Sequence, residues 1–359
     1  MAKFHPLKVK EVRRETADAV SVAFDLPITL KTDYQFKQGQ YLTLKLKINN
    51  EELRRSYSIC TSPYNENDLR IAIKEVSGGK VSTFINQQLK TGDVIDVMTP
   101  MGNFYSVLSG ANKKHYVLFA GGSGITPMMS ILKSVLYIEK QSRITLIYAN
   151  RNEESVIFKT ELEQLSHQHE SNLQVIYLYD QPVANIPDLH IGFITPEKVI
   201  SLTENYTGVG ESYEYFICGP GPMMENIKTG LNKLNIKSDK IHIEYFSSVI
   251  EAVEAAEKNT VTGENVQSNV TVIQYGIETN FSLNTKGKNV LDAALDAGVD
   301  VPYSCKGAVC CTCRAKVIEG KAKMDANFAL TDTEVEDGYI LTCQAHPLTE
   351  KLVVDYDAI

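Results

Sequence analysis

Apolar and polar residues alternate along several short segments in the first third of the chain. Every second residue is apolar over residues 40–48 and again over residues 69–73, and residues 94–98 form a further largely apolar run. A period of two is typical of a strand with one buried face. Turn residues such as Asn49-Asn50 separate these segments, as expected for a small antiparallel barrel. We therefore predict an antiparallel β-barrel domain over residues 1–110.

From residue 111 the pattern changes to buried strands that alternate with apolar helices. Continuous apolar runs predict parallel strands that are buried on both faces; they cover residues 115–120, 144–148, 172–179 and 213–217. Residues 128–138 predict a helix, with Pro127 in its first turn, and residues 240–246 a last strand. The alternation predicts an α/β domain with a parallel sheet over residues 111–247.

The remainder of the chain predicts a linker and a third domain. Residues 248–268 are rich in Glu, Ala, Ser, Thr, Asn and Gly, which indicates a linker with a helical stretch at residues 250–258. Residues 269–359 predict an α+β domain. Its elements are a hairpin turning at Tyr275-Gly276, a helix that Asn289 caps and Gly298 ends, and strands at residues 314–318, 339–343 and 352–356.

Four cysteines of the third domain have the spacing of iron–sulfur ligands. Cys305, Cys310 and Cys313 follow the C-x4-C-x2-C pattern of plant-type [2Fe-2S] ferredoxins, and Cys343 supplies the distant fourth thiol. Two irons bridged by two sulfides require four thiolates from segments that wrap closely around a small core. A zinc site or four buried thiols are the alternatives, but zinc sites more often contain two short Cys pairs. Cys311 breaks the ligand register, so we interpret it as a small packing residue.

Size and composition limit the classes of function. At 359 residues the chain is long enough for two or three domains. No apolar run approaches the ~20 residues that span a bilayer, the first residues lack the pattern of a signal peptide, and a reducing cytoplasm suits seven cysteines. The net charge is -8, and residues 267–359 contribute 13 acidic against 8 basic residues, which is -5. Nucleic acid is therefore an unsuitable ligand, whereas an acidic face can orient the protein toward a basic partner or simply keep it soluble.

Two motifs of the barrel region are suited to a flavin nucleotide. Gly79 to Ser82 opens a predicted helix, whose free N–H groups and positive dipole end favour a pyrophosphate. Arg55 and Tyr57 on the neighbouring strand offer a phosphate contact and a flat surface for an aromatic ring system. Taken alone, Arg55-x-Tyr57-Ser58 is equally typical of an exposed strand with a basic edge.

Two glycine-rich turns follow strands of the α/β region. Gly121-Gly122-Ser123-Gly124-Ile125-Thr126-Pro127 joins a strand to a helix, which is where backbone amides meet the phosphates of a dinucleotide. Cys218-Gly219-Pro220-Gly221 ends a later strand in the same way. Either turn alone is a weak indication, because tight turns also use glycine.

Together these motifs resemble the ferredoxin-NADP reductase family, and the last domain resembles a β-grasp ferredoxin. The resemblance implies FAD, a [2Fe-2S] cluster and a nicotinamide nucleotide as cofactors. It implies catalytic roles for Ser58 near the flavin N5, for Cys218 beside the nicotinamide and for Glu244, which helps to place it. Tyr245 or Phe246 would cover the flavin ring or pack in the core. The cofactor contacts that we predict are Arg55, Ser56, Tyr57, Ser58, Lys74, Gly79, Lys80, Val81, Ser82, Gly121, Gly122, Gly124, Thr126, Arg151, Cys218, Gly219, Pro220 and Phe246; the predicted metal ligands are Cys305, Cys310, Cys313 and Cys343.

The order of the three domains implies a complete electron path. A nicotinamide releases two electrons as hydride and a [2Fe-2S] centre accepts one at a time, so a flavin must stand between them. The ferredoxin segments around Cys310, Met324 and Cys343 resemble more narrowly the reductase subunits of the phenylacetyl-CoA epoxidase family, which implies separate di-iron oxygenase subunits as partners and a role in phenylacetate catabolism. A reductase for another hydroxylase or dioxygenase, and a non-enzymatic electron carrier or redox sensor, are the competing hypotheses.

The choice of nucleotide depends on fewer residues. Arg151 follows the second strand of the α/β region and can pair with a 2'-phosphate, which favours NADPH. Glu153 and Glu154 lie close by in the sequence, and a second arginine is missing from Tyr179-Asp180-Gln181. We expect NADPH, with NADH as the alternative.

Overall fold

The computed structural model describes residues 3–210, 212–246 and 265–358. These residues form two compact units. One comprises the described residues within Phe4–Leu53 and Tyr57–Glu244, and the other comprises the described residues within Met1–Lys3, Arg54–Ser56 and Tyr245–Ile359. The helix predicted at residues 250–258, and most of the predicted linker, lie outside the described residues.

The first sheet is a curled antiparallel sheet of six strands. Its strands are β1 Phe4–Thr16, β2 Ala19–Asp25, β3 Tyr41–Ile48, β4 Glu51–Ser58, β5 Leu69–Lys74 and β6 Val94–Met98, in the order β4-β3-β6-β1-β2-β5. An antiparallel bridge between Ile59 and Ile71 links the two edge strands, so the sheet closes on an apolar core. Asn49 and Asn50, at φ 50° and 65°, form the predicted turn. Helix α1, Lys80–Gln87, follows β5.

The second sheet is parallel, as the continuous apolar runs predicted. It contains β7 His115–Gly121, β8 Arg143–Asn150, β9 Leu173–Tyr179, β10 Tyr213–Cys218 and β11 Ile241–Glu244, in the order β11-β10-β7-β8-β9. Four helices connect the strands: α2 Ile125–Ile138, α3 Lys159–Gln168, α4 Pro196–Tyr206 and α5 Gly221–Lys233. The chain proceeds outward from β7 to β9 and returns to the other side of β7 with β10. The strand order therefore reverses between β7 and β10, and ligands of open α/β sheets bind beside such a switch point.

The third sheet belongs to the C-terminal unit. Strands β12 Gln267–Gln274, β13 Ile277–Asn284, β14 Arg314–Glu319, β16 Tyr339–Leu341 and β18 Lys351–Asp355 form it in the order β13-β12-β18-β14-β16. Strands β15 Ala322–Met324 and β17 Ala345–Pro347 make a separate pair. Helices α6 Val290–Asp296 and α7 Asp332–Glu336 complete the domain, and Asn289 caps α6 as predicted.

Several predicted boundaries were wrong by a few residues. Helix α2 begins at Ile125 rather than at residue 128, because the turn at Gly122–Gly124 continues directly into it. Strand β16 ends at Leu341, so Cys343 lies in a turn instead of a strand. Strand β11 ends at Glu244, which leaves Tyr245 and Phe246 outside it. The further 3-10 turns are Ile28–Leu30, Glu153–Ser155, Asp188–His190 and Ser238–Lys240.

Among the described residues, no helix is both long and apolar enough to cross a lipid bilayer.

Candidate functional site

The strand that carries the predicted flavin motif is β4, and its side chains differ in exposure. Arg55 is exposed and donates to the carbonyl of Arg54 at 2.8 Å. Tyr57 packs partly against the barrel core, while Ser58 at the end of the strand is only 2% exposed. Ser56 is half-buried. The strand thus offers one cationic group on its outer side and a buried hydroxyl at its end.

The segment before α1 has the geometry of a phosphate-binding turn. Gly79 is the N-cap residue of α1, and no side chain caps this helix end. A Cβ at Gly79 would lie 2.5 Å from the Ser82 hydroxyl and 3.0 Å from the Val76 carbonyl, so only glycine fits. Ser82 uses its hydroxyl to accept from the Val76 amide at 3.1 Å. The backbone amides at the helix start, rather than the Ser82 hydroxyl, are therefore oriented to receive a phosphate.

The side chains around the start of α1 are engaged in core packing and ion pairs. Val81 is buried in the barrel core, Lys80 pairs with Glu51, and the ammonium group of Lys74, at the end of β5, lies 3.5 Å from Asp18. Of the residues predicted here, Val81 can approach a ligand only through its backbone.

The two glycine-rich turns of the parallel sheet lie against each other at the switch point. A Cβ added to Gly124 would lie 2.1 Å from the carbonyl oxygen of Cys218, and one added to Gly219 would lie 3.0 Å from the Gly121 backbone. Gly122 has a φ of +52° and nothing within 4 Å of its missing Cβ. The two motifs, about a hundred residues apart in sequence, thus form one site with open space above Gly122.

Helix α2 starts in this site without a side-chain cap. The hydroxyl of Thr126 is bonded to the Ser123 carbonyl at 3.0 Å, and Pro220 precedes the first residue of α5. The amides at the N-terminus of α2 therefore face the glycine turn, which is the arrangement that binds the phosphates of a dinucleotide.

Ser58, Cys218 and Glu244 meet at the carboxyl edge of the same sheet. Cys218 and Glu244 are neighbours in the parallel pairing of β10 with β11. The Ser58 hydroxyl donates to Glu244 Oε2 at 3.1 Å, so the end of the flavin strand touches the end of the nucleotide sheet. Burial raises the pKa of Glu244 to about 8, although the bond from Ser58 opposes the shift. Burial, together with Glu244, also raises the pKa of the Cys218 thiol.

The end of β8 presents charged groups of both signs. Arg151 is exposed, and its carbonyl accepts from the Gln181 amide at 2.8 Å. The Glu153 carboxylate accepts from the amides of Val183 and Ala184 at 3.0 and 3.2 Å. Its pKa is lowered, chiefly by the Val183 amide. This carboxylate is thus held by the backbone of the following loop.

One acidic residue near the nucleotide turn was not among the predicted contacts. Oδ1 of Asp180, directly after β9, is buried and has no hydrogen-bond partner among the described residues. Ligands of open parallel sheets bind outside the carboxyl ends of the strands, and Asp180 lies at such an end, which Tyr179-Asp180-Gln181 already indicated in the sequence.

The four predicted ligand cysteines form two thiol pairs. The sulfurs of Cys305 and Cys310 are 3.1 Å apart, and Cys313 is hydrogen-bonded to Cys343. Thr342, directly before Cys343, bonds to the Cys313 carbonyl through its amide at 3.2 Å and its hydroxyl at 2.9 Å. These bonds hold the distant cysteine beside the loop.

The loop backbone directs N–H groups at the sulfurs. Lys306 and Ala308 have φ angles of 54° and 63°, a left-handed conformation that residues other than glycine rarely adopt. The Gly307 amide donates to the Cys305 sulfur at 3.3 Å. The pKa of Cys305 is lowered, first by the Cys310 thiol and then by backbone amides. In the same way, Cys313 and the Ala308 amide lower the pKa of Cys343.

This donor set fits a two-iron cluster. Two thiol pairs flanked by backbone N–H groups are what a [2Fe-2S] core requires. Cys311 is 5% exposed, and its role as a packing residue stays a prediction.

Comparison with known proteins assigns the same three parts. Residues 6–105 match the oxidoreductase FAD-binding domain, residues 118–229 the oxidoreductase NAD-binding domain, and residues 273–348 the 2Fe-2S iron-sulfur cluster binding domain. The chain belongs to the family of oxygenase reductase components that transfer electrons through FAD and a 2Fe-2S cluster.

Two curated relatives span nearly the whole chain. A subunit of the 1,2-phenylacetyl-CoA epoxidase of Escherichia coli K12 is 39% identical over 100% of this chain and 99% of its own length. The ferredoxin reductase component of 3-ketosteroid-9-alpha-monooxygenase from Rhodococcus rhodochrous is 33% identical over 98% and 96%. The solved phthalate dioxygenase reductase shares the fold, with a TM-score of 0.57 over 98% of each chain at 24% identity. The expected fold class is therefore confirmed.

The raised pKa of Glu244 predicts a specific pH dependence of stability. Because this pKa is about 8 in the folded protein against an ordinary value of 4.5, the folded state binds more protons between these values. Stability should therefore fall as the pH rises from about 4.5 to 8, and Glu244→Gln should remove this contribution. Denaturant unfolding of the two proteins across this range measures the difference.

Glu197→Gln is the control, because Lys233 lowers the pKa of that exposed carboxylate. Its contribution is lost only on acidification, so the slope above pH 4.5 should stay unchanged. Equal slopes for wild type and Glu244→Gln would contradict the assignment.

Proposed function

We propose that this protein oxidises NADPH, with NADH as the alternative donor, and passes the electrons through FAD and a [2Fe-2S] cluster to separate di-iron oxygenase subunits. The acceptor would be a phenylacetyl-CoA epoxidase active in phenylacetate degradation, as the name of the Escherichia coli relative suggests. The observation that carries the proposal is the hydrogen bond from Ser58 to Glu244 at 3.1 Å. It places the end of the flavin strand beside the nucleotide turns, where hydride can pass between two ring systems.

The residues of the barrel would hold FAD. Its flavin ring system supplies the change from two-electron to one-electron transfer. Arg55 would pair with a phosphate, Tyr57 would offer its ring face, and the segment from Gly79 to Ser82 would hold the pyrophosphate through the amides that follow Gly79, since the Gly79 amide itself donates to the Val76 carbonyl. Ser58 would donate to the ring edge. Ser56, Lys74 and Phe246 remain predicted contacts.

The switch point would hold the nicotinamide nucleotide. The amides from Gly121 to Gly124 and the N-terminus of α2 would bind its phosphates. Cys218 would lie against the nicotinamide ring, and a protonated Glu244, favoured at neutral pH by its pKa of about 8, would donate to the amide of that ring. Closure of this edge by Ser58 would exclude water from the reacting atoms.

The cysteine loop would hold the cluster. Cys305 and Cys310 would bind one iron, and Cys313 and Cys343 the other, as their pairing suggests. Amides in the left-handed loop would donate to sulfur and so adjust the reduction potential.

We further propose the domain boundaries 1–110, 111–247, 248–268 and 269–359, and a cytoplasmic location. All seven cysteines lie in described ranges, where no disulfide joins them, which suits a reducing compartment.

A reductase of another oxygenase is the second candidate. It is favoured by the 33% identity to the 3-ketosteroid-9-alpha-monooxygenase component over 98% of the chain. The half-reaction would be the same, and only the acceptor would differ.

The test is anaerobic addition of NADPH or NADH to the purified protein. Bleaching of a combined flavin and iron–sulfur spectrum is expected, followed by turnover once phenylacetyl-CoA epoxidase oxygenase subunits and substrate are added. A cluster-only spectrum that does not bleach would favour an electron carrier. Bleaching with turnover only in the presence of a different oxygenase, identified by co-purification from the native cell, would establish the second candidate.

Cys313, a predicted cluster ligand, and Cys311, a predicted packing residue, allow a matched pair of variants. Cys313→Ser should lose most of the iron, because one thiolate of a pair is missing, whereas Cys311→Ser should keep it. Iron and acid-labile sulfide per chain measure this, and retained flavin shows that the protein has folded. Equal iron loss in both variants would contradict the ligand assignment.

Arg151 is predicted to select the nucleotide. Arg151→Ala should lower kcat/KM for NADPH roughly 10- to 100-fold, since a hydrogen bond to a charged group contributes about 1.5–3 kcal/mol, and should barely change kcat/KM for NADH. Asp180→Asn is the companion variant, because a ribose-binding carboxylate should affect NADH more strongly. Equal losses for both nucleotides in Arg151→Ala would refute the assignment.

A further inference from the structure

Helix α2 carries a polar stripe in an otherwise apolar sequence. Ser130, Lys133 and Ser134 lie three and four positions apart and therefore share one face of the helix. All three are buried, with 0, 9 and 0% of their surfaces exposed. Their neighbours on the helix, such as Ile131 and Leu132, are apolar and buried. Buried polar side chains need hydrogen-bond partners, and the partners show which part of the protein this face of α2 contacts.

The partners of the stripe lie in the segment that follows the flavin strand. Ser130 donates to the Thr61 carbonyl at 2.6 Å. Ser134 donates to the Ser130 carbonyl at 2.6 Å, and its hydroxyl oxygen lies at hydrogen-bond distance, 3.0 Å, from the Ser62 hydroxyl. Thr61 and Ser62 come three and four residues after Ser58. The helix that begins at the nucleotide turn is thus bonded directly to the backbone that continues from the flavin strand.

Lys133 completes this connection with a charge. Its ammonium group lies 2.9 Å from a Glu66 carboxylate oxygen and 3.0 Å from Glu161. Glu66 belongs to the segment after β4 and also accepts from the Ser62 amide at 2.6 Å. Glu161 lies on α3, in the same nucleotide-binding part as Lys133. The pair with Glu66 therefore joins the barrel to the nucleotide sheet, while the pair with Glu161 stays within the nucleotide sheet and its helices.

The charges around Lys133 keep it ionised. Burial alone would lower its pKa, but Glu161, Cys60 and Glu66 together raise the pKa above its ordinary value. An open cleft of about 910 Å³ borders these side chains, and Arg70 and Arg14 also line it. Arg70 is engaged by Glu11, Asp68 and Ser21, and Arg14 by Asn86. Beside this cleft, the bonds of Ser130 and Lys133 join the segment after the flavin strand to helix α2.

We propose that Lys133 is a positioning residue for hydride transfer, which acts by holding the Thr61–Glu66 segment, and with it Ser58, in register with the nucleotide turn at the start of α2. The inference rests on the proposed function. A buried ion pair contributes little net stability compared with apolar packing of the same volume, but its directional bonds specify one arrangement. The rate of a transfer between two bound rings is sensitive to shifts of about 1 Å.

Loss of the pair should therefore slow chemistry without weakening nucleotide binding. In Lys133→Met, the first-order rate of flavin reduction at saturating nucleotide should fall roughly 10- to 100-fold. The dissociation constant of the nucleotide should stay within about twofold, since the glycine turns and the start of α2 remain intact. The long-wavelength charge-transfer absorption between flavin and nicotinamide should weaken in parallel. Anaerobic stopped-flow spectroscopy of the full-length holoenzyme measures all three quantities.

Two glutamine variants separate positioning from the mere burial of a charge. Glu66→Gln removes the pair that joins the barrel to α2, whereas Glu161→Gln leaves it in place. A positioning role predicts that Glu66→Gln reproduces the slow flavin reduction of Lys133→Met and that Glu161→Gln stays close to wild type. If burial of the charge alone mattered, both glutamine variants would be equally affected, because each leaves Lys133 with one carboxylate. Glu66→Gln also keeps the test decisive if Lys133→Met fails to fold.

Lys233→Met is the matched control, because it breaks the exposed pair with Glu197 in the same unit and should leave flavin reduction unchanged. Equal reduction rates and equal charge-transfer bands in wild type, Lys133→Met and Glu66→Gln would overturn the inference while leaving the proposed function intact. A wild-type protein whose flavin is not reduced by either nucleotide would overturn both.

Discussion

The close approach of two glycine turns is the constraint on which the rest of the site depends. A Cβ at Gly124 would overlap the Cys218 carbonyl at 2.1 Å, so the start of α2 can reach the end of β10 only because a hydrogen atom replaces a side chain there. This contact places the amides of one turn and the thiol of the other at the point where the strand order reverses. Ser58 and Glu244 then close the same edge, with a carboxyl group that burial keeps protonated at neutral pH.

The backbone of the cysteine loop provides hydrogen-bond donors for the cysteine sulfurs. Sulfur ligands carry negative charge, and a buried negative charge requires donors. Lys306 and Ala308 adopt left-handed backbone angles, which turn N–H groups toward the sulfurs instead of toward a sheet. Such strained conformations persist where surrounding contacts over-determine them. Here Thr342 bonds twice to the Cys313 carbonyl and fixes the neighbouring Cys343. The loop is therefore shaped for its cluster by its own backbone.

Helix α2 links the chemistry of the two nucleotide sites. Its N-terminus faces the glycine turn, and its polar stripe is bonded to the segment that leaves the flavin strand. We propose that helix α2 thereby holds the flavin strand and the nucleotide turn at a fixed distance from each other. Ser130, Lys133 and Ser134 are buried, so each needs a hydrogen-bond partner, and the segment that follows the flavin strand supplies such partners.

Local patterns were sufficient for the domain order, the parallel sheet, the turn at Asn49-Asn50 and the presence of a 2Fe-2S domain, because each depends on residues that are near one another in the chain or on a short spacing rule. Contacts between distant segments were not readable in this way. The overlap of Gly124 with Cys218, the bond from Ser58 to Glu244 and the orphaned oxygen of Asp180 all follow from packing of separate elements. The apolar pattern of residues 128–138 likewise indicated a helix but not the partners of Lys133. The type and spacing of side chains determine which secondary structure and which chemistry a segment can provide. Which atoms those side chains contact depends on how the sheets and helices pack, and so only the tertiary structure determines it.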